Sequence, residues 1–131
     1  MECRPLSEIP TPTPRELDIL KVLWDQGSSS VRTVHRELQR LEPELAYNTV
    51  QTLLRIMEVK QLVRHALEGR TFIYTARFTR DESAARFLEH VFDGAAAQLV
   101  SSLLRTERVS AEELEQMRRL IDQARRKKTQ G

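Results

Sequence analysis

The sequence predicts a mainly α-helical protein with one small β-hairpin. In most of its 131 residues, apolar side chains recur every three or four positions, which is the spacing of a helix with one buried face. Residues 62–76 instead have the β-rich character of two short strands around a glycine turn, which predicts a hairpin. All five prolines lie at or before position 43, so none interrupts the helical pattern of the second half. A chain of this length forms one domain or two small ones.

The first helix is predicted to begin at Pro14, after a flexible leader over residues 1–12. Thr13 and Glu16 have the spacing of a capping box, and proline is favoured at the first helical position. Gly27 is expected to end this helix. Its apolar stripe consists of Leu17, Leu20, Leu23 and Trp24.

Two further helices complete a three-helix unit before the hairpin. Ser30 is a natural cap for the second helix, and Pro43 lies in the segment that breaks it. The apolar face of the second helix is predicted to contain Val31, Val34, Leu38 and Leu41. The third helix is predicted over residues 46–60. Three helices followed by a hairpin have the order of a winged helix-turn-helix module, which we assign to residues 13–76.

The third helix has two chemically different faces. At 100° of rotation per residue, a polar arc about 100° wide contains Asn48, Gln51, Thr52 and Arg55. The opposite side carries Ala46, Val50, Leu53, Leu54 and Met57. Amide, hydroxyl and guanidinium groups suit the edges of bases, and the flanking Tyr47 and Thr49 are expected to reach phosphates or sugars. Ordinary solvated surface is the alternative, although such a face more often carries acidic residues, and none lies between Ala46 and Met57.

Charge gives a weaker indication of the partner. The chain has 21 Lys and Arg against 19 Asp and Glu, and this net charge of +2 does not by itself indicate nucleic acid. Residues 45–76, however, carry four basic and two acidic side chains. Arg64 and Arg70 are predicted to lie near the hairpin tip, and Arg70 and Lys60 to contact phosphates. Solvated surface charge explains this local excess equally well.

Residues 77–131 are predicted to be helical and to form a dimerisation domain. Thr79 and Ser110 each begin a pattern typical of a helix cap, and Asp93-Gly94 marks a break. A segment of about 55 residues buries too little apolar surface for a robust core of its own, so we expect a homodimer. The predicted interface is an apolar stripe that comprises Phe87, Leu88, Val91, Phe92, Leu99, Val100, Leu103, Leu104, Leu114, Met117 and Ile121.

Several other classes of function lack their sequence signals. The single cysteine excludes a multi-cysteine metal site, and His35, His65 and His90 lie on separate elements. The four glycines are too scattered for a phosphate-binding loop, and no nucleophile motif is present. We therefore predict no enzyme activity, no metal and no cofactor. No apolar run approaches the ~18 residues of a membrane span, so we expect no membrane insertion and a cytoplasmic location.

Three segments resemble one family of regulators. Residues 14–24 read PRELDILKVLW, residues 48–55 read NTVQTLLR and residues 68–74 read EGRTFIY. They are similar to the opening helix, the recognition helix and the wing of the BlaI/MecI/CopY family, which includes the penicillinase and methicillin-resistance repressors. The resemblance implies a dimeric transcriptional repressor that binds a double-stranded DNA operator with dyad symmetry.

The resemblance also bears on how repression ends. Some members are inactivated when a membrane-bound sensor protease leads to cleavage in the dimerisation domain, at an Asn-Phe bond whose counterpart here is Ser102-Leu103. The copper-responsive members end in paired Cys-x-Cys motifs, but no cysteine follows Cys3, so metal sensing by that route is not expected. Two alternatives stay open: release by a directly bound effector, and a winged-helix adaptor that binds protein rather than DNA.

Overall fold

The computed structural model describes residues 11–130, so nearly all of the predicted leader lies outside the described residues. Within them, the elements follow in the order α1 (Pro14–Gln26), β1 (Ser29–Ser30), α2 (Val31–Gln39), α3 (Tyr47–Val59), β2 (Val63–Glu68), β3 (Thr71–Ala76), α4 (Arg80–Phe92), α5 (Ala96–Arg105) and α6 (Ala111–Gln130). The predicted class, mainly helical with a small antiparallel sheet, is confirmed.

The predicted helix starts are confirmed where a local cap defines them. The Thr13 hydroxyl accepts a hydrogen bond from the Glu16 N–H at 3.2 Å, and the Glu16 carboxylate accepts one from the Thr13 N–H at 2.8 Å. Thr79 and Glu82 form the same reciprocal box at the start of α4. The Ser110 hydroxyl accepts a hydrogen bond from a backbone N–H in the first turn of α6 at 3.1 Å. Each cap satisfies N–H groups that the helix itself leaves unpaired.

The sheet has three antiparallel strands in the order β1-β3-β2. The predicted hairpin pairs β2 with β3 from Val63 opposite Ala76 to Glu68 opposite Thr71. Strand β1 was not predicted: it consists of the last two residues of the connection between α1 and α2, and it pairs with the other side of β3. Two residues are too few to show a periodicity, so the sequence carries no signal for this strand.

One hydrophobic core joins the first three helices and the hairpin. Its buried side chains all come from the first part of the described chain: Ile19, Leu20, Leu23, Val31, Val34, Leu38, Leu45, Val50, Leu54, Met57, Leu62, Val63, Tyr74 and Phe78. The prediction that Leu41 belongs to this core is wrong, because α2 already ends at Gln39 and the Leu41 side chain is 81% exposed.

A buried ion pair connects the start of α1 with the end of α3. Glu16 is only 1% exposed, and the Lys60 ammonium lies 2.9 and 3.1 Å from its two carboxylate oxygens. Burial raises the pKa of Glu16, but hydrogen bonds from Thr13 and Lys60 and the charge of Lys60 outweigh it and hold this pKa below its ordinary value. The sequence predicted only a phosphate contact for Lys60, and the structure adds a second role: its ammonium neutralises a buried carboxylate.

The three C-terminal helices contain no buried residue within the described part of the chain. Helix α4 is linked to α5 through Asp93 and Gly94, both of which have positive φ. Six residues of the predicted stripe are exposed large hydrophobic side chains: Phe87 and Val91 of α4, Leu103 and Leu104 of α5, and Leu114 and Ile121 of α6. None of the helices over residues 11–130 is long and apolar enough to span a membrane.

We expect Lys60→Ala to lower the free energy of unfolding by about 1–3 kcal/mol at neutral pH, because the change leaves the Glu16 carboxylate buried without its cation. This range is reduced from that of a fully buried pair, since the Lys60 side chain is 38% exposed. Denaturant unfolding measures the change. Lys21→Ala, at an exposed position of α1, is the matched control and should have little effect.

The same comparison has a defined pH dependence. The folded-state pKa of Glu16 is depressed, so its stabilising contribution is present above the ordinary value of 4.5 and is lost as pH falls through the folded pKa. The stability difference between the parent protein and Lys60→Ala should therefore shrink below pH 4.5. A difference that stays constant into the acid range would contradict a role for this charge pair.

Candidate nucleic-acid interface

The polar face of α3 is open to solvent. Its side chains are exposed except that of Gln51, which is half-buried: Asn48, Thr49, Gln51, Thr52 and Arg55. On the opposite face, Val50, Leu54 and Met57 are completely buried in the core. Since all these residues belong to one helix, burial of the apolar side fixes the rotation of α3 about its axis. The core thus determines that the amide, hydroxyl and guanidinium groups face outward.

The start of α3 is held by a residue of α2. The His35 Nε2 atom lies 2.7 Å from the Leu45 carbonyl oxygen, and its ring meets the Tyr47 ring edge-on at 5.7 Å between centroids. Tyr47 remains 42% exposed. Among residues 11–130, no side chain caps this N-terminus. The positive end of the helix dipole therefore lacks a capping side chain, which favours an anion there.

The wing formed by β2 and β3 carries Arg70 at its tip. Glu68 and Thr71 form the last strand pair, and Gly69, with φ of +66°, makes the turn with Arg70. The prediction that Arg64 lies near the tip is wrong. It pairs with Thr75 next to the base of the hairpin, because β2 extends over six residues. Side chains alternate across a strand, so Arg64 also projects from the face opposite His65.

The wing is attached to α3 by a contact that the sequence did not reveal. The Glu58 carboxylate of α3 accepts a hydrogen bond from the His65 backbone N–H at 3.1 Å, and it lies 2.6 Å from the His65 Nδ1 atom. The His65 ring packs against Phe72 and Tyr74 at 4.6 and 5.7 Å between centroids. Burial and the nearby Glu58 charge raise the pKa of Tyr74, against the opposing charge of Arg55. These contacts fix the position of the wing relative to α3.

A cleft of about 610 Å³ separates the wing tip from the first turns of α2 and α3. The residues lining it include Ser30, Arg32, Tyr47, Gln51, Arg70 and Phe72. Arg70 enters this cleft from the wing and Arg32 from α2, so cations are present on two sides of it. Sequence reasoning missed Arg32. Arg32 lies two residues after the helix cap Ser30, in the first turn of α2 that borders the cleft.

The described residues contain no cluster of three or more His, Cys, Asp or Glu side chains that could hold a metal ion. His35 instead contacts the start of α3, and His65, itself a residue of the wing, contacts Glu58 of α3. Both histidines thus support the elements that border the cleft.

A helical core that presents one polar helix beside a hairpin wing defines a winged-helix DNA-binding protein. The chain belongs to the penicillinase repressor family, whose model matches residues 12–123. The resemblance identified from the sequence is therefore confirmed. This family consists of DNA-binding repressors.

Individual relatives agree with this assignment. The chain is 25% identical over 127 residues to a penicillinase repressor of Bacillus licheniformis, covering 94% of this chain and 98% of the relative. It is similar to the solution structure of the DNA-binding domain of the repressor BlaI, at 31% identity over 56% of this chain and 89% of that one, with a TM-score of 0.50. A MarR family protein from Bacillus stearothermophilus matches 95% of this chain and 80% of its own, at 20% identity and a TM-score of 0.50, which indicates a shared fold alone.

Glu58→Ala should loosen the wing without unfolding the protein. Loss of the His65 contacts is expected to cost about 0.5–1.5 kcal/mol and to accelerate hydrogen exchange at the His65 amide, which donates to this carboxylate. Exchange measured residue by residue by NMR tests this, with the exposed Glu44→Ala as a control. Unchanged exchange at His65 would show that Glu58 does not hold the wing.

Proposed function

We propose that the chain represses transcription as a homodimer that binds a double-stranded DNA operator with dyad symmetry, one α3 helix reading each half-site. The observation that carries this proposal is the fixed outward display of the polar face of α3. Membership of the penicillinase repressor family and the likeness to the BlaI DNA-binding domain support it. A repressor must reach the DNA that carries its operator, so we place the protein in the cytoplasm.

Base recognition is assigned to the exposed arc of α3. Asn48 and Gln51 carry amides that suit adenine, Arg55 carries a guanidinium that suits guanine, and Thr52 has a methyl group that suits the methyl of thymine. Tyr47 and Thr49 flank this arc and are assigned to the sugar-phosphate backbone. No acidic side chain lies on the arc itself to repel DNA, and the nearby Glu58 is already engaged by His65.

Non-specific affinity is assigned to the rim of the cleft. Arg32 and Arg70 line it from two sides, and the uncapped start of α3 adds backbone N–H donors. Cations and helix N-termini at such positions contact phosphates and set the register of the reading helix. Arg64 is omitted from this interface because it lies at the base of the wing and on its other face.

The homodimer is inferred from apolar surface that one chain leaves uncovered. The C-terminal helices hold no buried side chain among residues 11–130, whereas the core of the first part is closed within one chain. The members of the predicted stripe are all exposed or half-buried: Phe87, Leu88, Val91, Phe92, Leu99, Val100, Leu103, Leu104, Leu114, Met117 and Ile121. Pairing with a second copy about a two-fold axis covers this stripe and yields two reading helices.

Release from DNA is proposed to act through this paired region. Ser102 and Leu103 lie in the second half of α5, so a protease must first open the helix. Within a single chain α5 has ten residues and no buried side chain, so it opens at low cost wherever a second copy does not cover it. A membrane-bound sensor protease is the partner that the family resemblance implies. A directly bound effector is the competing route, and an intact chain that leaves DNA on induction would identify it.

We expect Gln51→Ala and Arg55→Ala to reduce discrimination between duplexes, and Arg70→Ala to weaken all duplexes alike. The first two remove base contacts, each worth about 1–3 kcal/mol against a wrong base pair. The third removes a phosphate contact, so the slope of log affinity against log salt should fall by about 1. Affinities for the best duplex selected from a random pool, and for its single-base variants, measure both effects.

Arg36→Ala serves as a control for this series, since it removes an exposed arginine of α2 that does not line the cleft. Equal losses on selected and random duplexes for the α3 variants would contradict their role in reading. If the parent protein has no salt-dependent affinity for any duplex, the adaptor alternative replaces the repressor.

A chain that ends at Ser102 is expected to be monomeric, whereas the full chain is dimeric. The truncation removes the second half of the stripe but leaves the closed core intact. It should therefore keep the affinity for a single half-site and lose the extra affinity for two linked half-sites. Light scattering and binding to both duplexes test this. A full-length chain that stays monomeric at micromolar concentration would contradict the proposed dimer.

A further inference from the structure

A compact cluster joins the end of α1 to the start of α4, and we name it the α1–α4 junction. It consists of Trp24, Asp25, Phe78 and Arg80. The Trp24 Nε1–H donates to the Phe78 carbonyl oxygen at 2.9 Å, and the two rings lie 6.1 Å apart at 65°. The Arg80 guanidinium lies 5.6 Å from the centre of the Trp24 ring and 2.7 Å from the Asp25 carboxylate.

The connection through this junction is short and held at each residue. Three residues separate β3 from α4. The Arg77 N–H donates to the Leu62 carbonyl at 3.0 Å, the Phe78 side chain is buried in the core, and Thr79 forms the capping box of α4. No glycine lies in this segment. We call α1–α3 together with the three-stranded sheet the reading part. The direction in which α4 leaves the reading part is therefore set at the first turn of α4.

Beyond that turn, α4 has no buried side chain, and its Arg86 guanidinium makes an exposed hydrogen bond to the Thr11 hydroxyl. The Asp25–Arg80 pair is exposed, and by itself such a pair contributes little. The pair contributes to the junction through its position, because it holds the Arg80 guanidinium over the Trp24 indole ring on the solvent side. A small rotation at this point moves the far end of α4 by several times the local displacement.

We propose that Trp24, Asp25 and Arg80 are positioning residues that determine which separation between operator half-sites the dimer accepts. The inference rests on the proposed dimeric repressor. In such a dimer, the distance and the relative rotation of the two α3 helices depend on how each α4 joins its reading part. A rigid junction restricts binding to one half-site spacing, and a loosened junction tolerates neighbouring spacings at lower affinity for the best one.

The test measures binding to a set of duplexes in which the selected half-sites are separated by the preferred spacer or by one or two base pairs more or fewer. We expect the parent protein to lose about tenfold or more in affinity per base pair of change, since the second half-site is then engaged under strain. Arg80→Ala should reduce that loss to about threefold and leave affinity for a single half-site unchanged. Arg80→Lys, which keeps the cation, should restore most of the selectivity.

Two further variants keep the test decisive. Arg77→Ala removes the exposed side chain of the neighbouring arginine but keeps the backbone N–H that bonds to Leu62, and it should keep the parent spacing profile. Asp25→Asn alters only the exposed end of the junction, so it reports on spacing even if Arg80→Ala folds poorly. A spacing profile shared by the parent protein, Arg80→Ala and Asp25→Asn would overturn the inference. A parent protein that binds two linked half-sites no better than one would overturn the proposed dimeric repressor instead.

Discussion

The fold of the reading part depends on a carboxylate placed where water does not reach it. Glu16 lies in the first turn of α1, and its oxygens are satisfied by the Thr13 N–H and by the Lys60 ammonium at the end of α3. A buried charge of this kind is tolerated only when its partners are in place. The same side chain therefore caps the start of α1 and contacts the residue that follows α3. This pairing adds to the burial of the apolar face in holding α3 against α1.

Several contacts together fix the position of α3. The burial of Val50 and Leu54 fixes rotation about the helix axis, and the Lys60 pair fixes the C-terminal end. His35 supports the N-terminal end, and Glu58 ties the wing to the same helix. Side chains that read bases must be held within a fraction of an ångström of the right geometry, which requires support of this kind. The polar arc can remain exposed because none of its members is needed for the core.

Features that depend on residues close together in the sequence were predicted correctly. Contacts between residues far apart in the sequence were missed. The caps at Thr13 and Thr79 were predictable because each box is complete within four residues. The Lys60–Glu16 pair spans 44 residues, and nothing in its spacing distinguishes Lys60 from a phosphate-binding lysine. Strand β1 and the base position of Arg64 likewise depend on how the hairpin aligns beside other segments. The polar face of α3 was predictable because helical periodicity alone separates the polar and apolar sides of this helix.

The two parts of the chain differ in whether their apolar side chains are covered within a single chain. The reading part closes its core within a single chain, whereas the helices from α4 onward leave their apolar side chains exposed or half-buried. Under the proposed function, the DNA-binding surface of each chain is thus stable without the partner chain. The pairing that holds two such surfaces at a fixed separation does depend on the partner chain. A signal that disturbs the C-terminal helices therefore needs to change no atom of α3 or the wing. Since linked half-sites gain affinity only while both readers are held together, loss of the pairing removes that gain at once.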